Sequence, residues 1–230
     1  MKTMGLIGGM SWESTVTYYR LINEGIRARL GGHHSARLLL FSVDFAEIDR
    51  LQQRQAWEEA GRLLAAAGKA LETGGAEFIL LCTNTMHNVA PAIVRELRVP
   101  LLHIADPTAE AVRHACIGTV GLLGTRFTME QDFYVGRLRE NHGLDVVVPE
   151  AADRDTVHRV IYGELVQGRV LEPSRQELHA IIARLKARGA QGVILGCTEL
   201  SMLVAPAELT LPCFDTTALH ARRAVDLALS

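Results

Sequence analysis

"GAEFILLCTNTM" (residues 75–86) and "GAQGVILGCTEL" (residues 189–200) share one plan. Each enters from Gly-Ala, runs through four or more apolar residues and ends in small polar ones, as a buried strand ending in a polar turn does. Two further pairs repeat in the same order. "TMGLIGGM" from Thr3 matches "TVGLLGTR" from Thr119, and "VPLLHIADPT" from Val99 matches "LPCFDTTALH" from Leu211. The three offsets are 116, 114 and 112 residues in a chain of 230. Near-constant offsets close to half the length predict two related units. Short apolar strings also match by chance, and the alternative is one doubly wound sheet with similar strands.

Outside these pairs lie more short apolar runs, "ARLLLFSVD" and "LDVVVPE", and stretches with helical spacing such as "WEEAGRLLAAAGKALETGG" and "SRQELHAIIARLKARGA". Apolar strands alternating with helices predict an α/β fold with a mostly parallel sheet flanked by helices. Ligands of such sheets bind beyond the carboxyl ends of the strands. There the repeat aligns Thr83 with Cys197, Asn84 with Thr198 and Thr85 with Glu199, while Cys82 aligns with Gly196.

With 48% hydrophobic and 22% charged residues the chain has material for a sizeable core. A formal net charge of -2, with scattered basic residues, leaves no electrostatic footprint for nucleic acid or an anionic membrane. Small solutes are the expected partners. Four dispersed cysteines and a start, "MKTMGLIGG", without a signal-peptide core predict a reduced, cytoplasmic protein. No apolar run reaches the roughly 18 to 20 residues that span a bilayer.

Several motifs carry chemistry, each with a plain alternative. "GLIGGMSWEST" (residues 5–15) reads as strand, glycine turn and helix start, an anion site or a structural turn; it lacks the Walker lysine and the spaced dinucleotide glycines. Side chains alternate along a strand, so Cys82 and Thr83 cannot both enter one site, and parity does not choose between them. Cys82 after "FILL" has the setting of a packing residue, whereas Cys197, followed by Thr and Glu, has that of an activated thiol. His33, His34, His87 and His103 fit no zinc spacing, and no metal is expected. "SVDFAEIDRLQQRQAW" (residues 42–57) is either a solvated helix or a lid carrying Arg50, Gln52 or Arg54. In "LGTRFTMEQDFY", Thr125 and Thr128 are candidate carboxylate donors, and Phe133 and Tyr134 candidate core residues.

Taken together, "KTMGLIGGMSWEST", "CTNTMHNVA", "LLGTRFTMEQDFY" and "GAQGVILGCTEL" resemble the aspartate/glutamate racemase family over essentially the whole chain, notably its aspartate/glutamate-specific or broad-specificity branch. The resemblance implies two pseudo-symmetric α/β domains, expected at 1–103 with 214–230 returning to it and at 104–213, with an active site in the interdomain cleft and a possible homodimer. It implies a reaction without cofactor, pyridoxal phosphate included, in which two strand-end cysteines flank the α-carbon. Inversion needs an acid and a base on opposite faces, which a duplicated fold can supply.

The chain departs from that pattern at the first cysteine. The family has Cys-Asn-Thr where this chain has Thr83-Asn84-Thr85, so the first catalytic position carries over to Thr83, and the second to Cys197. A hydroxyl is a far weaker acid than a thiol near pKa ~8.5. The expectation is therefore an asymmetric racemase for L-aspartate and L-glutamate, with Cys197 removing the α-proton and Thr83 reprotonating. The resemblance further implies substrate contacts at Met10, Asn84, Thr85, Thr198 and Glu199; in the region of a family basic contact Gln52 is favoured over Arg50 and Arg54, and Thr125 of the second glycine turn joins the candidates. Val166 stands where a lysine would meet a distal carboxylate, which keeps broad specificity open. A single-cysteine arylmalonate-type decarboxylase and a silent amino-acid-binding protein are the rival readings.

Overall fold

The computed structural model describes residues 1–230, the side chain of Pro206 excepted. It divides into two compact units, Met1–Ile104 with His220–Ser230, and Ala105–Leu219.

The first unit opens with β1 (Met4–Gly8), buried at every position. A glycine turn leads into α1 (Trp12–Leu30), whose cap Ser11 accepts the Ser14 N–H at 3.4 Å and which stops at Gly31, φ 73°. There follow β2 (Leu38–Ser42), α2 (Phe45–Gln53), α3 (Trp57–Thr73), β3 (Phe78–Leu81), a 3₁₀ turn at Thr85–Val89, α4 (Ala90–Glu96) and β4 (Leu101–Leu102). The second unit contains α5 (Ala105–His114), β5 (Thr119–Gly124), α6 (Arg126–Glu130), α7 (Asp132–His142), β6 (Asp145–Val147), α8 (Ala151–Gly163), a 3₁₀ turn at Leu165–Gln167, α9 (Glu172–Ala187), β7 (Val193–Gly196), α10 (Leu200–Leu203) and β8 (Cys213–Asp215). The closing helix α11 (Thr216–Leu229) gives its residues from His220 onward to the first unit.

Each unit has one four-stranded parallel sheet, in the orders β2-β1-β3-β4 and β6-β5-β7-β8. The strand registers reproduce all three sequence offsets. Gly5 pairs with Ile79 and Gly121 with Val193; Ile79 pairs with Leu101 and Val193 with Cys213. The units therefore share topology and hydrogen-bond register, residue for residue, across the three strands that the sequence repeat matches.

In the first unit, strand alternation sorts side chains into two layers. Met4, Leu6, Phe78, Leu80 and Cys82 join Tyr18, Ile22 and Ile26 of α1 and Ala221, Ala224 and Val225 of α11. Ile7, Ile79 and Leu81 join Ile48 and Leu51 of α2 and Leu64 and Leu71 of α3. In the second unit Val120, Leu122, Leu123, Val193, Ile194 and Leu195 are fully buried. Such continuous apolar burial is what a parallel sheet covered on both faces requires.

The two units differ in the loop that follows their first inner strand. Ser11 and Ser14 cap α1 as Thr125 and Thr128 cap α6, with hydroxyls 3.2 Å apart in each pair, but Gly9 and Met10 have no counterpart after Gly124. Gly9 has φ 90°, and a Cβ there would lie 2.2 Å from the Val43 carbonyl oxygen. Gly31 has φ 73° with nothing within 4 Å of a built Cβ. Gly31→Ala is thus expected to cost about 1–2 kcal/mol from backbone strain alone, and Gly9→Ala about 1–3 kcal/mol more from the collision. Thermal unfolding of the two variants measures the difference; equal shifts would show that the close approach to Val43 is not a constraint.

Candidate active site

The turn after β3 begins while the ladder is still intact. The Cys82 N–H donates to the Ile7 carbonyl at 2.9 Å, and the Thr83 N–H then folds back to the Leu81 carbonyl at 2.9 Å. Cys82 therefore keeps strand alternation and lies fully buried in the layer with Tyr18 and Leu80. Burial alone drives its thiol well above the ordinary range, so it stays protonated at neutral pH and serves as a small apolar residue. Thr83, 7% exposed, sits at the bend beyond the strand. Its carbonyl oxygen is 2.7 Å from His87 Nδ1.

The matching turn after β7 carries different chemistry. Cys197 Sγ donates to Glu199 Oε2 at 3.0 Å, and Thr198 Oγ1 donates to the same oxygen at 2.6 Å. All three residues are buried, Cys197 retaining 8% exposure. The backbone turns into α10 through the Leu200 N–H to Cys197 carbonyl bond of 3.2 Å, which holds the Cys-Thr-Glu run in one tight bend. Burial first, and then the facing Glu199 carboxylate, push the Cys197 thiol well above its ordinary value. At rest it is a thiol with a built-in proton acceptor, and once deprotonated it is a strong base.

The glycine opposite Cys82 explains why the two copies differ one residue earlier. A Cβ at Gly196 would lie 2.9 Å from the Leu123 carbonyl oxygen, so this position in the second unit admits no thiol. The second-unit thiol stands instead at the position matching Thr83.

The remaining sequence candidates take varied places. Asn84 and Thr85 are buried in the β3 turn, where the Asn84 carbonyl accepts the His87 N–H at 3.0 Å. Thr125 is the buried cap of α6 and accepts the Thr128 N–H at 3.3 Å. Met10 packs into the core with Ile48, Leu51 and Met86. Gln52 is buried with its Nε2 2.9 Å from the Met86 sulfur, whereas Arg50 on the same helix and Arg54 at its C-cap are exposed, Arg50 folding onto the Ala46 carbonyl at 3.1 Å. Val166 lies half-buried in the 3₁₀ turn Leu165–Gln167. Of the two aromatic residues expected in the core, Tyr134 is fully buried and Phe133 partly so. His33 and His34 are exposed. Among the described residues no group of three or more His, Cys, Asp or Glu could hold a metal ion, and no helix is long and apolar enough to cross a membrane.

Sequence reading weighed His87 and His103 only as metal ligands and passed over their packing beside the first turn. His87 and His103 have ring centroids 4.3 Å apart. Their counterparts by the offsets of 114 and 112 are Ser201, which donates to the Thr198 carbonyl, and Asp215, whose Oδ1 accepts the Thr217 and Ala218 N–H groups at 2.8 and 3.1 Å. Burial raises the Asp215 carboxyl, against the backbone hydrogen bonds it receives from Ala218 and Thr217. The signal was present in the repeat, but residue types so unlike each other hide it.

Comparison with known proteins places this geometry. A protein from Yersinia pestis assigned as an Asp/Glu racemase is 52% identical in sequence, with a TM-score of 0.94 and all of both chains covered. An aspartate racemase homologue from Pyrococcus horikoshii is 35% identical, with a TM-score of 0.86 and all of both chains covered. The broad specificity amino-acid racemase RacX of Bacillus subtilis is 26% identical over 173 residues, 75% of this chain and 74% of its own. The family model described as Asp/Glu/Hydantoin racemase matches residues 7–224. With two matched parallel α/β units and a polar turn beyond the central strand of each, the chain belongs to the Asp/Glu/Hydantoin racemase family and is an isomerase of that family.

Proposed function

We propose that this racemase acts on L-aspartate and L-glutamate without a cofactor, Cys197 removing the α-proton and the Thr83 hydroxyl supplying the proton that inverts the centre. The observation that carries the reading is the 3.0 Å contact from Cys197 Sγ to Glu199 Oε2. It gives the thiol proton a destination at the moment the sulfur takes up the substrate's α-proton. The proton passes to Glu199, the thiolate takes the α-proton, and the carbanion receives a proton from Thr83, which a water replenishes. Glu199 then releases its proton to solvent, and every group returns to its starting state. Asn84, Thr85, Thr125 and Thr198, small polar residues at the strand-end turns and the α6 cap, supply donors for the substrate's polar groups.

Two features support asymmetry between the faces. The first-unit turn has Thr83 and Thr85 where the second has Cys197 and Glu199, so thiol and carboxylate both lie on one side of the repeat. Cys82, though adjacent to Thr83, is sealed in another layer. The Bacillus subtilis relative is named as broad in specificity, and Val166 in place of a lysine favours tolerance of side chains without a distal carboxylate.

Exchange of the α-proton in deuterated water, followed for L- and D-aspartate, tests this reading. L-aspartate is expected to exchange faster than D-aspartate. Cys197→Ser should lower exchange by about 10²-fold or more, Thr83→Ala should suppress D-aspartate formation, and Cys82→Ala should leave turnover near that of wild type. Comparable exchange of the two enantiomers would overturn the asymmetric mechanism. Release of carbon dioxide from an arylmalonate without amino-acid exchange would replace it with decarboxylation.

Glu199→Gln separates thiol acidity from turnover. Removing the carboxylate removes the second cause that holds the Cys197 thiol above its ordinary pKa, so the thiolate forms at lower pH and iodoacetamide alkylates Cys197 faster at pH 7. Turnover moves the other way, falling about 10²-fold as the proton acceptor is lost. A Glu199→Gln enzyme that alkylates more slowly, or turns over as wild type does, would remove Glu199 from this role.

A further inference from the structure

The geometry points to His87 as a positioning residue for Thr83: a neutral imidazole, protonated on Nδ1, that clamps the Thr83 carbonyl and thereby aims the hydroxyl. This inference rests on the reprotonating role given to Thr83 above. The proton positions follow from the partners. His87 Nε2 lies 3.2 Å from the backbone N–H of Ile104, a group that can only donate, so Nε2 must carry the lone pair. The ring proton is then on Nδ1, 2.7 Å from the Thr83 carbonyl oxygen, which can only accept. No other protonation state satisfies both contacts.

Both main-chain polar groups of Thr83 are thus taken, the N–H by Leu81 and the carbonyl by His87. With the backbone held on either side of its Cα, the side chain's direction is set by the turn, though the residue lies outside the strand ladder. His87 is itself held firmly, being 1% exposed and packed against His103.

The end of β4 to which His87 ties this turn is braced a second time. His220 Nε2 donates to the Leu102 carbonyl at 2.9 Å while its Nδ1 accepts from the Tyr18 hydroxyl at 2.8 Å. The main chain on either side of His103 is therefore gripped, at Leu102 by His220 and at Ile104 by His87. The second unit solves the corresponding problem with smaller groups. Ser201, at the position matching His87, donates to the Thr198 carbonyl at 3.1 Å, and Cys197 is oriented through its own contact with Glu199. A hydroxyl without a neighbouring carboxylate to orient it needs its backbone fixed instead.

Two reactions that share proton removal but differ in reprotonation test the inference. Racemisation of L-aspartate needs both faces. With 3-chloro-L-aspartate, loss of the α-proton to Cys197 and of chloride from the β-carbon gives an enamine, which water hydrolyses to oxaloacetate and ammonium; no reprotonation by Thr83 is involved. The readout is the ratio of chloride release to D-aspartate formation. His87→Gln retains an acceptor for Ile104 but loses the Thr83 donor, and should raise the ratio about tenfold or more, in the direction of Thr83→Ala. His87→Asn retains a donor near the Nδ1 position and should keep the ratio within about twofold of wild type.

An unchanged ratio in His87→Gln, with both reactions slowed alike, would make the residue merely structural and overturn the inference. So would a tenfold rise in His87→Asn, which decides the matter if His87→Gln does not fold. A wild-type enzyme that neither releases chloride nor racemises L-aspartate would instead overturn the parent reading of the site.

Discussion

Everything in this molecule depends on how closely a helix can lie against the central strand of each sheet. β1 and β5 are buried on both faces, and each has a glycine where a helix crosses it. A Cβ at Gly5 would meet the Ala76 Cβ at 2.9 Å and the Leu71 Cβ at 3.2 Å; at Gly121 it would meet the Leu185 Cβ at 3.4 Å and the Ala190 Cβ at 3.5 Å. Leu71 and Ala76 are the counterparts of Leu185 and Ala190 at the offset of 114. The same helix therefore seats on the same strand position twice. That seating fixes where the next strand begins, which fixes its register, and hence which residues arrive at its carboxyl end.

On this shared geometry the two copies carry different side chains. One strand-end turn presents a thiol bonded to a carboxylate, the other a hydroxyl on a backbone held by an imidazole. The Cys197 thiol is oriented by its own contact to Glu199. A hydroxyl has no such partner at this turn, and its placement falls to the main chain. The difference in acidity between sulfur and oxygen thus reappears as a difference in how the two turns are braced.

Much of this was legible in the sequence because it is local and repeated. The three offsets appear in "GAEFILLCTNTM" and its partners, and the strand registers carry the same shifts. The layer that receives Cys82 could not be read, since parity gives two faces without saying which helices cover each. Gln52 shows the same limit: a glutamine on a polar-looking helix becomes buried only because Met86 arrives beside it from 34 residues away. His87 looked like a stray metal candidate. Its role is set by Ile104, 17 residues on, whose amide comes within reach only when β4 pairs with β3.

The threonine at position 83 also changes how such an enzyme meets an oxidant. Two thiols brought within bonding distance can be joined as a disulfide. Threonine oxygen forms no such bond, and Cys82 is sealed in the core with its proton retained. Of the thiols at these turns, Cys197 keeps 8% exposure and Cys82 none. With oxygen rather than sulfur at position 83, the first turn offers no exposed thiol for such chemistry.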